Sequence, residues 1–223
     1  MMIETLSQLV SMNLKRADNY FEAMQSMRPF INLSGALRGL AVDLGKISND
    51  FRLLSSGPNT GLAEINLPAV QPGSSIMPGK VNPVLAEMLN MVCFRVIGND
   101  LTIANAGAAG QLELNVMMPV IADTLIESLK ILIGGISSFN NRCLKGITAN
   151  EDKCRNYAEN SLAMVTALNP LIGYLRAANV AKESLATGKP IREIIMEKGY
   201  LRQDELDIYL SPDTLTEPGI PGK

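Results

Sequence analysis

From Leu33 onward, large apolar residues recur at Leu37, Leu40, Leu44, Ile47, Phe51 and Leu54, in steps alternating between four and three. That is heptad spacing, and it predicts one long helix with a single apolar line. A second such line runs through Leu125, Leu129, Leu132, Ile136, Phe139 and Cys143. Between them, Pro83 to about Ala106 repeats Leu85, Leu89, Val92 and Val96, with Met91, Phe94 and Ile97 lying off that line. A helix that is apolar on several sides is buried on several sides. Three helices of this kind cannot cover one another fully. Much of their surface is therefore expected to meet other subunits. The predicted class is all-α, a bundle of long helices.

Three departures from this pattern divide the chain. Gly35, Gly39 and Gly45 interrupt the first long helix, where each costs roughly 1 kcal/mol against alanine. Close backbone approach between helices is the expected reason. The stretch "SSGPNTGLAEINLPAVQPGS", residues 55–74, holds three prolines and three glycines and no sustained period. A loop of that length inside a bundle points to function. After Ile147 the texture changes to short helices with ordinary start and stop signals: Gly188 ends one, Pro190 opens the next and Gly199 ends that one. The expected division is a helical-bundle part, residues 1–147, and a small helical domain, residues 148–223, with a loose tail rich in turn residues.

Composition narrows the function classes. Hydrophobic residues make up 47% and charged residues 19%, and the net charge is -2. Neither nucleic acid nor an anionic membrane surface is an expected partner. The apolar runs are broken well short of a membrane span, and "MMIETLSQLV" lacks the features of a signal peptide. Cys93, Cys143 and Cys154 are odd in number and show no metal-ligand spacing, which fits a reduced, cytoplasmic compartment. No metal or cofactor is expected. The chain contains no histidine, the commonest general acid or base near neutral pH.

The stretch with most chemical content is "GSSIMPGKVNP", residues 73–83. It is not a phosphate-binding P-loop. Five residues, not four, separate Gly73 from Gly79, and Val81 follows Lys80 where a serine or threonine would hold magnesium. Asn82 before Pro83 reads as an N-cap and first helical residue. The loop would then bring Ser74, Ser75, Lys80 and Asn82 to the positive end of a helix, where backbone amides favour an anion such as a carboxylate. A capped helix with a surface loop above it is the other reading of the same residues.

"GSSIMPGKVNP" resembles the signature of the aspartase/fumarase superfamily, enzymes that eliminate a group from a succinate skeleton to give fumarate. "LSGALRGLAVDLGKISNDFRLLSSGP", "GLAEINLP", "GQLELNV", "SLAMVTALNPLIGY" and "GYLRQDELD" are also similar to the second half of these enzymes. The resemblance implies a homotetramer built on a bundle of long helices, followed by a small helical C-terminal domain. It implies active sites assembled from several subunits and a small dicarboxylate as substrate.

Carried over by position, the resemblance makes Ser74 the general base, with Ser75 contributing its backbone amide and Lys80 and Asn82 holding the substrate carboxylate. A serine can act so only if its alkoxide is stabilised in a dry, positive setting. Glu87 has two readings: the family glutamate that orients a histidine, or a favourable acid in a helix's first turn. The family signatures of the first half are not present, so a separate N-terminal half is an expected partner. Asn59 stands where the family usually has arginine. "INLPAVQPGSS" and "NPVLAEMLNMVCF" look more like the ammonia-eliminating branch than the hydratases, which usually carry glutamate in place of Gln71 and Thr-Gln in place of Val84 and Leu85. A hydratase, or a catalytically inactive helical assembly module, are the alternatives.

Overall fold

The computed structural model describes residues 2–71, 73, 77 and 79–219, with residues 212 and 213 described by their backbone alone. Ser74 and Ser75 lie outside the described residues. Contacts divide the chain into two units, Met1–Thr148 and Ala149–Lys223.

The first unit is dominated by three long helices. These are α3 (Arg28–Leu54), α4 (Val84–Ala108) and α5 (Met118–Arg142), preceded by α1 (Met2–Val10) and α2 (Tyr20–Gln25). Helix α4 packs against both α3 and α5. Its buried line runs Ala86, Leu89, Cys93, Val96, Asp100 and Ile103, a three-four alternation. Leu132 and Phe139 of α5, Cys143 just past its end and Ala41 of α3 complete one cluster; Ile121, Leu125 and Met27 build a second around Ile103. Phe51 meets Phe139 edge to face, with ring centres 5.7 Å apart.

Helix α3 departs from its predicted line. Its fully buried residues are Ser34, Ala41 and Ser48, spaced by seven. Leu37, Leu44 and Phe51 flank them against the core, whereas Leu33, Leu40 and Ile47 are exposed at 44%, 43% and 42%. Small residues at the crossing let the two backbones approach, which displaces the bulky residues to either side. The glycine expectation is not met within this chain, since no Cβ added at Gly35, Gly39 or Gly45 would be crowded. A side chain at Gly45 would meet Asn90 and Cys93 of α4 at 3.8 Å, but Gly35 and Gly39 have nothing within 4 Å.

Polar side chains fix how the helices meet. Ser34 donates to the buried Asp100 carboxylate at 2.7 Å, and Arg38 reaches its other oxygen at 3.1 Å. Asn99 bridges α4 to Glu127 and Ser128 on α5 at 2.9 and 3.0 Å, and Arg95 adds two bonds of 3.1 Å to the same Glu127. Between α4 and α5, the buried Asn115 amide donates to the carbonyls of Ala106 and Gly107, and its oxygen accepts from the Met117 amide at 2.8 Å. One side chain thus satisfies the open end of α4 and the open start of α5.

The strands β1 (Ile65–Asn66) and β2 (Thr148–Ala149) form the one two-stranded sheet among the described residues. The second unit comprises α6 (Glu151–Glu159), α7 (Met164–Ile172), α8 (Tyr174–Thr187), α9 (Ile191–Glu197), α10 (Gln203–Tyr209) and α11 (Pro212–Thr216). Its own core gathers Val165, Leu168, Ile172, Val180, Ile191, Ile194, Ile195 and Leu206. Gly188, with φ of 73°, ends α8 in the left-handed conformation. Among the described residues, no helix is long and apolar enough to cross a membrane.

Candidate active site

Two loops at one end of the three long helices enclose the site. The first leaves α3. Ser55 returns its hydroxyl to the Phe51 carbonyl at 2.7 Å, and Ser56 returns its own to Leu53 at 2.6 Å. Ser56 also accepts from the amides of Leu62, through its side chain at 3.1 Å, and Ala63, through its carbonyl at 2.8 Å. Glu64 closes the turn by donating to Leu54 at 2.9 Å. Gly61 is required here, since a Cβ would lie 2.4 Å from the Ser56 backbone.

The second loop carries the signature. A Cβ on Gly73 would fall 2.2 Å from the Lys80 carbonyl oxygen, so the chain entering the loop and the chain leaving it touch at this point. Lys80 donates its amide to Met77 at 3.2 Å around Gly79, whose φ is 79°. Helix α4 then starts with Val84, and the first helical bond runs from the Glu87 amide to Pro83 at 3.0 Å.

The expected Asn82 cap is corrected by this start. Pro83, not Asn82, is the residue flanking α4, and no side chain caps it. Pro83 adopts φ -78° and ψ 50°, outside the helix, which moves the boundary one residue on. The consequence favours a binding role. The Asn82 amide is not spent on its own helix, and it lines a cavity instead.

That cavity has a volume of about 600 Å³, within the range of small-molecule sites. Lys80, Val81, Asn82 and Pro83 form one wall with Met77 and Gly79; Ser55, Gly57, Pro58, Ala63, Ile65, Asn66 and Leu67 form the other. The structure therefore brings Lys80 and Asn82 together beside the start of a 25-residue helix. Glu87 is half-buried in the first turn of α4 and is not among the cavity's lining residues. The opposite wall was signalled in the sequence by the length and glycine-proline content of residues 55–74 and by the family-like stretches ending "SSGP" and "GLAEINLP", none of which singles out a side chain. A lysine and an amide side chain beside the positive end of a helix can hold a carboxylate and stabilise added negative charge on it.

Comparison with known proteins matches this arrangement to a family. A family model described as Lyase matches residues 1–98, and one described as Fumarase C C-terminus matches residues 164–217. Aspartate ammonia-lyase of Bacillus subtilis is 48% identical over 221 residues, 99% of this chain and 46% of that protein. The Helicobacter pylori enzyme of the same name is 52% identical over 91% of this chain and 43% of its own length. The chain belongs to the aspartase/fumarase superfamily. It spans less than half the length of the curated relatives it matches. Among solved structures, the fumarate lyase:delta crystallin of Brucella melitensis superposes with a TM-score of 0.92 at 49% identity, covering 97% of this chain and 47% of that one. The class II fumarase of Schistosoma mansoni gives 0.90 at 37%, covering 97% and 48%. The superfamily's all-α architecture is thus the one described above.

Proposed function

We propose that this chain contributes the 73–83 segment to a lyase that eliminates ammonia from L-aspartate to give fumarate. The observation that carries this is the 48% identity to an aspartate ammonia-lyase across 99% of the chain. Lys80 and Asn82 on one cavity wall support it. In this reading Ser74, as an alkoxide, takes the proton from the carbon next to the substrate carboxylate. The electron pair moves into that carboxylate. Lys80, Asn82 and the Ser75 backbone amide hold the oxygens on which the charge accumulates. The pair then returns to form the carbon–carbon double bond as the carbon–nitrogen bond breaks and ammonia leaves. Glu87 acts through a histidine supplied from outside this chain, which has none.

The working form in this reading is a cytoplasmic homotetramer, its centre built from residues 1–147 and each subunit finished by the small domain of residues 148–223. Each long helix carries an apolar line at heptad spacing that the chain itself leaves exposed: Leu33, Leu40 and Ile47 on α3, Phe94 and Leu101 on α4, Ile126 and Ile133 on α5. The remaining catalytic groups, including those that recognise the amino group, belong in this reading to the part of the relatives' length that this chain does not span.

The test is reconstitution. The chain is mixed with a separately expressed N-terminal half of the Bacillus subtilis relative, and fumarate absorbance is followed with aspartate and malate in turn. Fumarate from aspartate is expected after mixing and not from the chain alone. Fumarate from malate would move the assignment to a hydratase. No turnover from either, in an assembly shown to form, would favour an inactive assembly module.

A further inference from the structure

We propose that Gly146 is a positioning residue for Lys80 and Asn82, acting through Pro68, an inference that rests on assigning those two side chains to the substrate carboxylate. Gly146 closes a short 3-10 turn, Leu144–Gly146, that follows α5. A Cβ there would lie 2.6 Å from Cγ of Pro68, 3.5 Å from its Cβ and 3.8 Å from its Cδ. A proline ring is tied to the backbone at both ends, so its Cγ can yield only by the small movement of a change in pucker. A side chain at position 146 therefore presses on the Pro68 ring and, through it, on the backbone of Pro68. A second tie lies two residues away along each segment, where Asn66 donates to the Thr148 hydroxyl at 3.3 Å.

The displacement cannot be absorbed locally. Leu67, Pro68 and Val70 face Asn82, Pro83, Val84 and Leu85 across a gap of only about 10 Å³, floored by the buried Cys143. That is no more than the space for one water. Leu67 and Asn82 also line the main cavity, on opposite walls. Gly146 thus abuts Pro68, and Pro68 is separated from Asn82 only by this narrow gap. Moving Pro68 shifts the start of α4 and, with it, the point at which Gly73 meets Lys80. Gly146 lies 66 residues beyond Lys80, and neither its type nor its neighbours mark it in the sequence.

The experiment compares backbone hydrogen exchange in the wild-type chain, Gly146→Ala, Pro68→Ala and the double variant. Gly146→Ala should speed exchange at residues 79–85 roughly tenfold, while the middle of α4 and all of residues 149–219 stay unchanged. Pro68→Ala in the Gly146→Ala background makes room for the added methyl and should return exchange to within about twofold of wild type. In the reconstituted assembly, Gly146→Ala should raise KM for aspartate roughly tenfold, and the double variant should recover it. Unchanged exchange at 79–85, an increase spread evenly over α3, α4 and α5, or failure of Pro68→Ala to rescue would overturn the clamp. Faster local exchange with an unaltered KM would overturn the positioning role. The exchange measurement needs no turnover, so failure of the lyase assignment leaves it decisive for the clamp.

Discussion

Glu127 accepts from Asn99 and from Arg95, and in that order these bonds hold its carboxyl below the usual glutamate range. Because the folded value is depressed, the stabilisation is fully present above the unfolded value of about 4.3 and is lost as pH falls through the folded value. Glu127→Gln should therefore be less stable than wild type near neutral pH, with the difference closing in acid. Denaturant unfolding of both proteins at pH 7 and pH 3 measures this; a difference that stays constant with pH would contradict it. At the same scale, the candidate site was legible to different depths. Lys80 and Asn82 were identifiable from their place in a motif. That Asn82 leaves capping aside was not, because Asn-Pro is a common helix start and only the conformation of Pro83 moves the boundary. Gly73 shows the same limit. Its need for bare backbone comes from Lys80, seven residues away, and a glycine in a loop does not reveal its neighbour.

Among elements, α3 carries the main lesson. Heptad spacing located the helix, and the observed span Arg28–Leu54 contains the whole predicted line. The pattern did not reveal which of two adjacent lines faces α4. Large apolar residues are the usual mark of a core face, but here the crossing is made by Ser34, Ala41 and Ser48. Burial between two close backbones needs small volume, and residue size has the opposite sign in a hydrophobicity pattern. Ala41 is fully buried and Leu40 is 43% exposed, so substitutions at the two should behave oppositely to their hydrophobicity. Ala41→Leu should cost about 1–3 kcal/mol through overpacking, and Leu40→Ala much less in the monomeric chain. Thermal or urea unfolding of the two variants separates the alternatives, and equal losses would contradict the assigned face. Helix α5 kept its predicted line, with Leu125, Leu132 and Phe139 buried and Cys143 buried just past its end.

For the molecule as a whole, helix periods gave the all-α class, and the long loop of residues 55–74 pointed to a wall of the cavity. The exposed lines on α3, α4 and α5 were foreshadowed by the argument that three helices apolar on several sides cannot cover one another. On α4, Met91, Phe94 and Leu101 follow heptad spacing, and between Phe94 and Leu101 a Cβ on Gly98 would meet nothing within 4 Å. An exposed seam of this kind is expected to be covered by another copy. Sedimentation of the chain at micromolar concentration should show an oligomer, and Phe94→Glu should shift it towards monomer. A well-behaved wild-type monomer would contradict that.

In the proposed lyase, residues 73–83 supply the base and the carboxylate-holding groups. The most direct measurement of this is turnover of aspartate by the reconstituted assembly carrying Ser74→Ala, beside the wild-type assembly. Binding of a non-reacting dicarboxylate such as succinate is measured in both. Succinate should bind within about threefold of wild type, since Lys80 and Asn82 remain, while the rate should fall by at least about a hundredfold for loss of the proton acceptor. An unchanged rate in Ser74→Ala would contradict the account.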